Sequence, residues 1–273
     1  SYSQNEAADK AVDLYNQTVQ AAQSEDFATA IAKAKEAYET AKTAEGAEET
    51  KTNLEKLLPK LYLSKAKKDL DDDKFDEALN AYKQAEDEAK KLNDAETAKD
   101  AAAATIKVYL KQADQLYSNN EFDAAIKAFD KALAIDSSDA KIYQIKASAF
   151  QKKGATDDAV KAFEKARDVA SATGNSSVAN SSVSQLAAIF TKAAAEAQKT
   201  KKWADVVKNA EKVLEYKPGD GTALKLIDLG NYQQGAALQA TNKTKACQFF
   251  KKVKTDEKMK AGAAAALKAL GCS

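Results

Sequence analysis

Small and apolar residues in this chain recur three and four positions apart over stretches of a dozen residues, the spacing that lines one face of an α-helix. The clearest stretch is 122–133, Phe-Asp-Ala-Ala-Ile-Lys-Ala-Phe-Asp-Lys-Ala-Leu, and it returns at 156–167 as Thr-Asp-Asp-Ala-Val-Lys-Ala-Phe-Glu-Lys-Ala-Arg. Ala125, Phe129 and Ala132 correspond to Ala159, Phe163 and Ala166, each 34 residues on. Small residues let a neighbouring helix approach closely, and the aromatic fills the hollow beside them. The same aromatic-then-small start marks Phe27 with Ala30, Phe75 with Ala78, Phe122 with Ala125 and Trp203 with Val206; Thr156 stands in the aromatic place before Ala159. A degenerate sixth has Cys247 in the small place. Successive small positions are 48, 47, 34, 47 and 41 residues apart. The long steps predict longer helices, by roughly two to four turns, and not additional domains.

These anchors divide the chain into helix pairs near 7–43, 48–93, 94–136, 140–170, 183–217 and 221–254, within one domain spanning 1–273. The first pair carries Ala11, Leu14, Tyr15 and Thr18 on its first helix and Ala30, Ala34 and Ala37 on its second. Pro59 falls inside a helix expected over 48–70 and should kink or split it. The Ser/Asn/Gly-rich run 171–182 reads as a loop, and Gly230 and Gly235 interrupt the first helix of the sixth pair. Thr255 is expected to cap a last helix, 256–270, that covers the open end of the stack. Asp76, Glu77, Asp123, Asp157, Asp158 and Asp205 fall in the first turns of second helices, where carboxylates offset the positive end of the helix dipole.

Composition narrows the chemistry. The chain has nine Gly, two Pro and 44% apolar residues, with alanine abundant, as an all-helical protein requires. Net charge is +1 and Arg167 is the sole arginine, so neither a bulk field nor bidentate readout favours nucleic acid. Histidine is absent, which removes the commonest general base and metal ligand. No Ser/His or Cys/His arrangement, zinc-protease motif or glycine-rich phosphate loop occurs. We therefore expect a non-enzyme without cofactor or metal. Asp71, Asp72 and Asp73 lack the alternating ligands, Gly and distal Glu of a calcium loop and read as an acidic helix entry. Asn175 and Asn180 match the glycosylation acceptor pattern, which chance produces often. No apolar run is long enough for a transmembrane helix. The chain starts at Ser1 without Met, and a cleaved signal peptide is the favoured reading of that start.

A 34-residue period with this small–aromatic–small face resembles the tetratricopeptide repeat family. The resemblance is strongest over 106–170. It implies a right-handed α-solenoid of antiparallel helix pairs, about six repeats plus a C-terminal capping helix. In that family the first helix of each pair lines the concave side and a protein or peptide segment binds there. The corresponding inner positions here are Lys60, Leu63 and Lys67; Lys107, Leu110, Asp114 and Tyr117; and Lys141, Gln144, Ser148, Gln151 and Lys152. One branch of the family clamps chaperone C-termini with Lys and Asn at fixed inner positions. Leu110, Asp114, Gln144, Ile145 and Ser148 stand there instead, so that specificity is not expected. The 47–48-residue spacing is similar to that of exported repeat proteins of the Gram-negative envelope, which implies a periplasmic or envelope-associated protein, with the cytoplasm as the alternative. Cys247 and Cys272 form a disulfide only if the tail folds back to bring their Cα atoms within about 7 Å; otherwise they are a buried helical thiol and a loose terminal one. The leading functional expectation is a protein-binding scaffold. The alternatives are a structural component of an envelope complex that uses its convex face or ends, and a glycan or small-ligand binder.

Overall fold

The computed structural model describes residues 2–273, with side chains from Glu6 onward. It is all-α, with thirteen helices among the described residues. They form two compact units, Ser1–Ser137 and Ser138–Ser273. The first unit holds three pairs: α1 (Tyr2–Gln23) with α2 (Phe27–Lys42), α3 (Glu48–Asp71) with α4 (Phe75–Lys91), and α5 (Ala95–Ser118) with α6 (Phe122–Ile135). The second holds α7 (Ala140–Lys153) with α8 (Thr156–Thr173), α9 (Ser176–Lys199) with α10 (Trp203–Tyr216), α11 (Gly221–Leu238) with α12 (Lys243–Lys251), and a final α13 (Glu257–Leu270). Within each unit every helix packs on the next in sequence across a short turn, which makes neighbours antiparallel.

The second helices begin at the anchor residues Phe27, Phe75, Phe122, Thr156 and Trp203. Ala30, Ala78, Ala125, Ala159 and Val206, three positions in, are fully buried. In α12 the matching position is Ala246, also fully buried, and not Cys247; Phe250 then fills the aromatic place. Cys247 lies one residue on, turned partly out of the core. The long steps lie in the first helices: α3, α5 and α9 have 24 residues each, whereas α7, inside the 34-residue step, has 14. The difference is about 15 Å of helix.

Turns within the first five pairs share one device. A residue with positive φ stands two positions before the second helix: Glu25, Asp73, Asn120, Gly154 and Lys201. Its N–H donates three residues back and the next N–H donates five back, as in Lys201 to Gln198 and Lys202 to Ala197. This closes the last carbonyls of the first helix. Only glycine adopts that conformation without a Cβ penalty, and Lys201 is exposed with no core packing to lose. Lys201→Gly is therefore expected to stabilise the chain by about 0.5–1 kcal/mol, read as a higher midpoint in urea. A lower midpoint would show that the lysine side chain contributes more than its backbone costs.

Three sequence expectations give way, and a fourth, a kink or split at Pro59, is narrowed. The helix α3 is not split: it runs unbroken through Pro59, whose ring is buried and whose missing N–H leaves the Glu55 carbonyl without that partner. The run 171–182 is not a loop. It is the end of α8, a turn at Gly174 and the start of α9. The Asn175 side chain caps α9 by accepting from the Val178 N–H at 3.2 Å, and Val178 and Ser182 are buried. Capping and burial override the weak helix preference of Ser and Asn. Gly230 and Gly235 do not interrupt α11; they let other helices close on it. A Cβ on Gly230 would fall 2.5 Å from Val207 Cγ2 and 3.0 Å from the Trp203 carbonyl oxygen. Lastly, Asp256 and not Thr255 caps α13, its carboxylate accepting from the Met259 N–H at 3.0 Å.

Candidate functional site

First helices contact one another as well as their partners. In the first unit α1 lies against α3 and α3 against α5; in the second, α7 lies against α9 and α11 against α13. The second helices have no comparable contacts among themselves. First helices therefore form a continuous layer in the first unit, and in the second they adjoin as the pairs α7–α9 and α11–α13. Their inward residues are small or branched and buried, such as Leu61 and Ala66 on α3, Ala101, Val108 and Ala113 on α5, and Ala140 and Ala147 on α7.

The expected contact residues divide by exposure. Lys60, Lys67, Lys107, Asp114, Lys141, Gln151 and Lys152 are exposed on this layer. Leu63, Leu110, Tyr117, Gln144 and Ser148 are half-buried. Leu63 packs against the apolar clusters on both sides of it. Tyr117 meets Phe122 edge to face at 5.4 Å and closes the α5–α6 turn. Gln144 Nε2 donates to Ser181 Oγ at 2.9 Å and reaches Ser182 Oγ at 3.4 Å, while Ser148 Oγ donates to the Gln144 carbonyl at 3.3 Å. These half-buried groups support the layer, and the exposed ones are open to a partner.

Two recesses in the first unit contain one expected residue each, Lys60 and Asp114. A groove of about 510 Å³ between α1 and α3 has apolar walls, Val19, Ala22, Leu57 and Leu61, with Lys60 at its edge. A shallower recess of about 380 Å³ at the end of α5 contains Asp114 beside Lys111 and Gln115. Lys111 Nζ pairs with Asp73 at 3.1 Å and donates to the Leu70 carbonyl at 3.0 Å, and Gln115 Nε2 donates to Asp73 at 3.0 Å. The α3–α4 turn is thereby pinned to α5. Lys68 does the same for the α1–α2 turn, donating to the Glu25 carbonyl at 2.9 Å.

The same interactions set the acid response. Hydrogen bonds from Thr29 and Thr97, through hydroxyl and amide, hold Asp26 and Asp94 below the ordinary carboxylate range. Asp73 is lowered by Gln115 first and Lys111 second. A carboxylate whose folded pKa is depressed contributes stability above its unfolded value, and that contribution is lost as pH falls through the folded one. The first unit should therefore lose thermal stability as the pH drops below about 4. The combined Asp26→Asn/Asp73→Asn/Asp94→Asn variant should show a flatter decline between about pH 4 and 2. An equal decline in both proteins would place the acid sensitivity elsewhere.

Sequence reading missed two features. Asp228, buried on α11, accepts from the N–H groups of Lys254, Thr255 and Asp256. A lone charge inside Leu226-Ile227-Asp228-Leu229-Gly230 was the available signal. The other is a cleft of about 600 Å³ between α2 and α4 over α3, whose walls come from three helices that no single helical face reveals. Cys247 and Cys272 are joined by a disulfide, with Cα atoms 5.8 Å apart. Among the described residues no group of His, Cys, Asp and Glu is arranged to hold a metal ion, and no helix is long and apolar enough to cross a membrane.

No family model matches the chain, and no curated protein matches it in sequence. Solved structures of helical-repeat proteins do resemble it. MamA is 20% identical, with 75% of this chain and 94% of that one covered and a TM-score of 0.30. The P58(IPK) TPR domain is 15% identical over 96% of this chain and 98% of its own, with a TM-score of 0.24. The TPR2AB domain of yeast Sti1, solved in complex with pHSP90, is 15% identical over 82% and 84%, with a TM-score of 0.30.

Proposed function

We propose that this chain is a non-enzymatic scaffold that binds a protein or peptide segment on the layer formed by its first helices. The observation that carries the reading is the α1–α3 groove, apolar along its walls and edged by the exposed side chains of Lys60 and Glu25. An apolar groove with a few placed polar groups suits a peptide that presents an apolar side chain beside a carboxylate. Lys67, Lys107 and Asp114 extend the surface in the first unit; Lys141, Gln151 and Lys152 do so in the second. Leu63, Leu110, Tyr117, Gln144 and Ser148 act beneath them as supports.

Capture from native extract, with a Lys60→Glu/Lys107→Glu variant and a Lys141→Glu variant beside the wild type, tests this. A partner retained by the wild type and lost from a charge-reversed variant supports the layer as the binding surface. Identical partners on all three proteins would sink it and favour a structural role through the second helices or the ends.

The disulfide supports a further part of the reading, an exported protein of the periplasm or envelope, because such bonds persist in oxidising compartments. Rapid alkylation of intact cells should find Cys247 and Cys272 blocked. Free thiols would favour the cytoplasm.

A further inference from the structure

In the first unit α2 and α4 stand apart over α3 and leave the cleft of about 600 Å³. It opens along the first half of α3, the part by which this helix exceeds a 14-residue first helix such as α7. The cleft is thus a product of the long period, and it lies apart from the α1–α3 groove. Its floor is apolar: Ala34 and Leu54 are buried, and Leu58 and Leu92 stand half-buried beside them.

Charge is distributed unevenly around that floor. Each wall supplies one carboxylate, the exposed Glu39 from α2 and the half-buried Glu55 from α3 and Glu88 from α4, and two exposed lysines, Lys35 and Lys91, complete the charged lining. Lys91 pairs with Glu88 at 3.2 Å, yet the lysine side chain is 71% exposed and the glutamate 23%. Lys51 approaches Glu55 only to 4.0 Å, and Glu55 also accepts a long hydrogen bond, 3.4 Å, from Tyr38 Oη. The exposed ammonium groups of Lys35 and Lys91 are screened by water, whereas the half-buried carboxylates of Glu55 and Glu88 beside apolar surface act more strongly on whatever enters.

We propose that this cleft is a second docking site, and that its occupant is a short basic, apolar segment of a partner protein: a Lys or Arg beside a large apolar side chain. The apolar side chain covers Leu54 and Leu58, and the cation displaces Lys91 from Glu88 and meets Glu55. Size argues for a short segment. The lining residues run from Ala34 to Glu39 on α2, Leu54 to Leu58 on α3 and Glu88 to Leu92, little more than one helical turn on each wall, or about 6 Å. An acidic segment would bring its charge against the half-buried Glu55 and Glu88. A free amine would leave the leucine floor wet.

The test is a titration of the isotope-labelled full chain, followed by amide chemical shifts. Three probes are compared: the acetylated, amidated peptide Leu-Arg-Phe-Lys, its counterpart Leu-Glu-Phe-Glu, and spermine. The expected result is that the basic peptide shifts amides of α2, the first half of α3 and the end of α4. Its affinity should fall about tenfold in Glu55→Gln/Glu88→Gln and stay unchanged in Lys60→Glu/Lys107→Glu, which separates this site from the first-helix layer. Glutamines at these half-exposed positions keep the fold, as the unbound spectrum verifies. The proposal is overturned if the basic peptide does not bind or shifts amides elsewhere. It is equally overturned if the acidic peptide or spermine binds as tightly, or if the double glutamine variant binds as the wild type does.

Discussion

Asp228→Ala loosens the start of the last helix and lowers the second unit's stability by about 3 kcal/mol. Asp228 is 1% exposed and sits on α11, yet its carboxylate serves a turn more than twenty-five residues away. Oδ1 accepts from the Lys254 N–H at 3.0 Å; Oδ2 accepts from Thr255 at 2.9 Å and Asp256 at 2.5 Å. Hydrogen bonds to a charged group contribute about 1.5–3 kcal/mol each. The three do not sum, because Lys254 and Thr255 are exposed and water replaces part of what is lost. The interaction also fixes the direction in which α13 leaves α12, since Asp256 both donates to Asp228 and caps α13. Asp228→Asn keeps the shape and one acceptor, so its loss should be about half as large. Hydrogen exchange over 257–270, with urea unfolding beside it, measures both. Unchanged exchange in that segment of the alanine variant would mean that apolar packing alone holds α13.

What the sequence shows of this fold is the part written in local periodicity. Four second helices could be placed to the residue because an aromatic followed by a buried small residue marks their starts; Thr156 keeps the register in α8, and in α12, which starts at Lys243 without an aromatic, the reading slips by one residue to Cys247. The length of the first helices was legible from the anchor spacing, since extra residues between two fixed anchors have to lengthen something. The errors share a cause. Gly230 and the Ser/Asn run after Thr173 carry local signals for a break, and in each case burial against another helix outweighs a local preference of about 1 kcal/mol. Periodicity assigns a residue to one helical face, but it does not say which neighbour that face meets. For that reason Leu63 and Tyr117, expected on the open surface, are engaged in packing as well. The same blindness hid the α2–α3–α4 cleft. Tyr38, Glu55 and Glu88 lie 17 and 33 residues apart in sequence and meet only through the stacking of three helices.

Removing the disulfide attacks the same helix from its other end. Cys247 lies on α12, and Cys272 follows Gly271, whose positive φ ends α13 and turns the chain back; the Cys272 N–H donates to the Leu267 carbonyl at 3.0 Å. The bond spans 25 residues of sequence, a loop whose closure restricts the unfolded chain by about 3 kcal/mol. Cys247→Ser/Cys272→Ser should therefore cost about 3 kcal/mol in urea unfolding. The more informative result is how this loss combines with that of Asp228→Ala. Asp228 holds the start of α13 and the disulfide holds its end, while Met259, Ala263, Ala266, Leu267 and Leu270 pack on the cluster around Phe250 in between. With either tether gone, the other keeps the apolar face in place. With both gone, α13 can leave as a unit and take its packing with it. The combined variant should thus lose more than the sum of the two, by upward of 0.5 kcal/mol, with exchange over 257–270 becoming fast only there. Losses that add within about 0.5 kcal/mol would show that the two tethers act on independent elements.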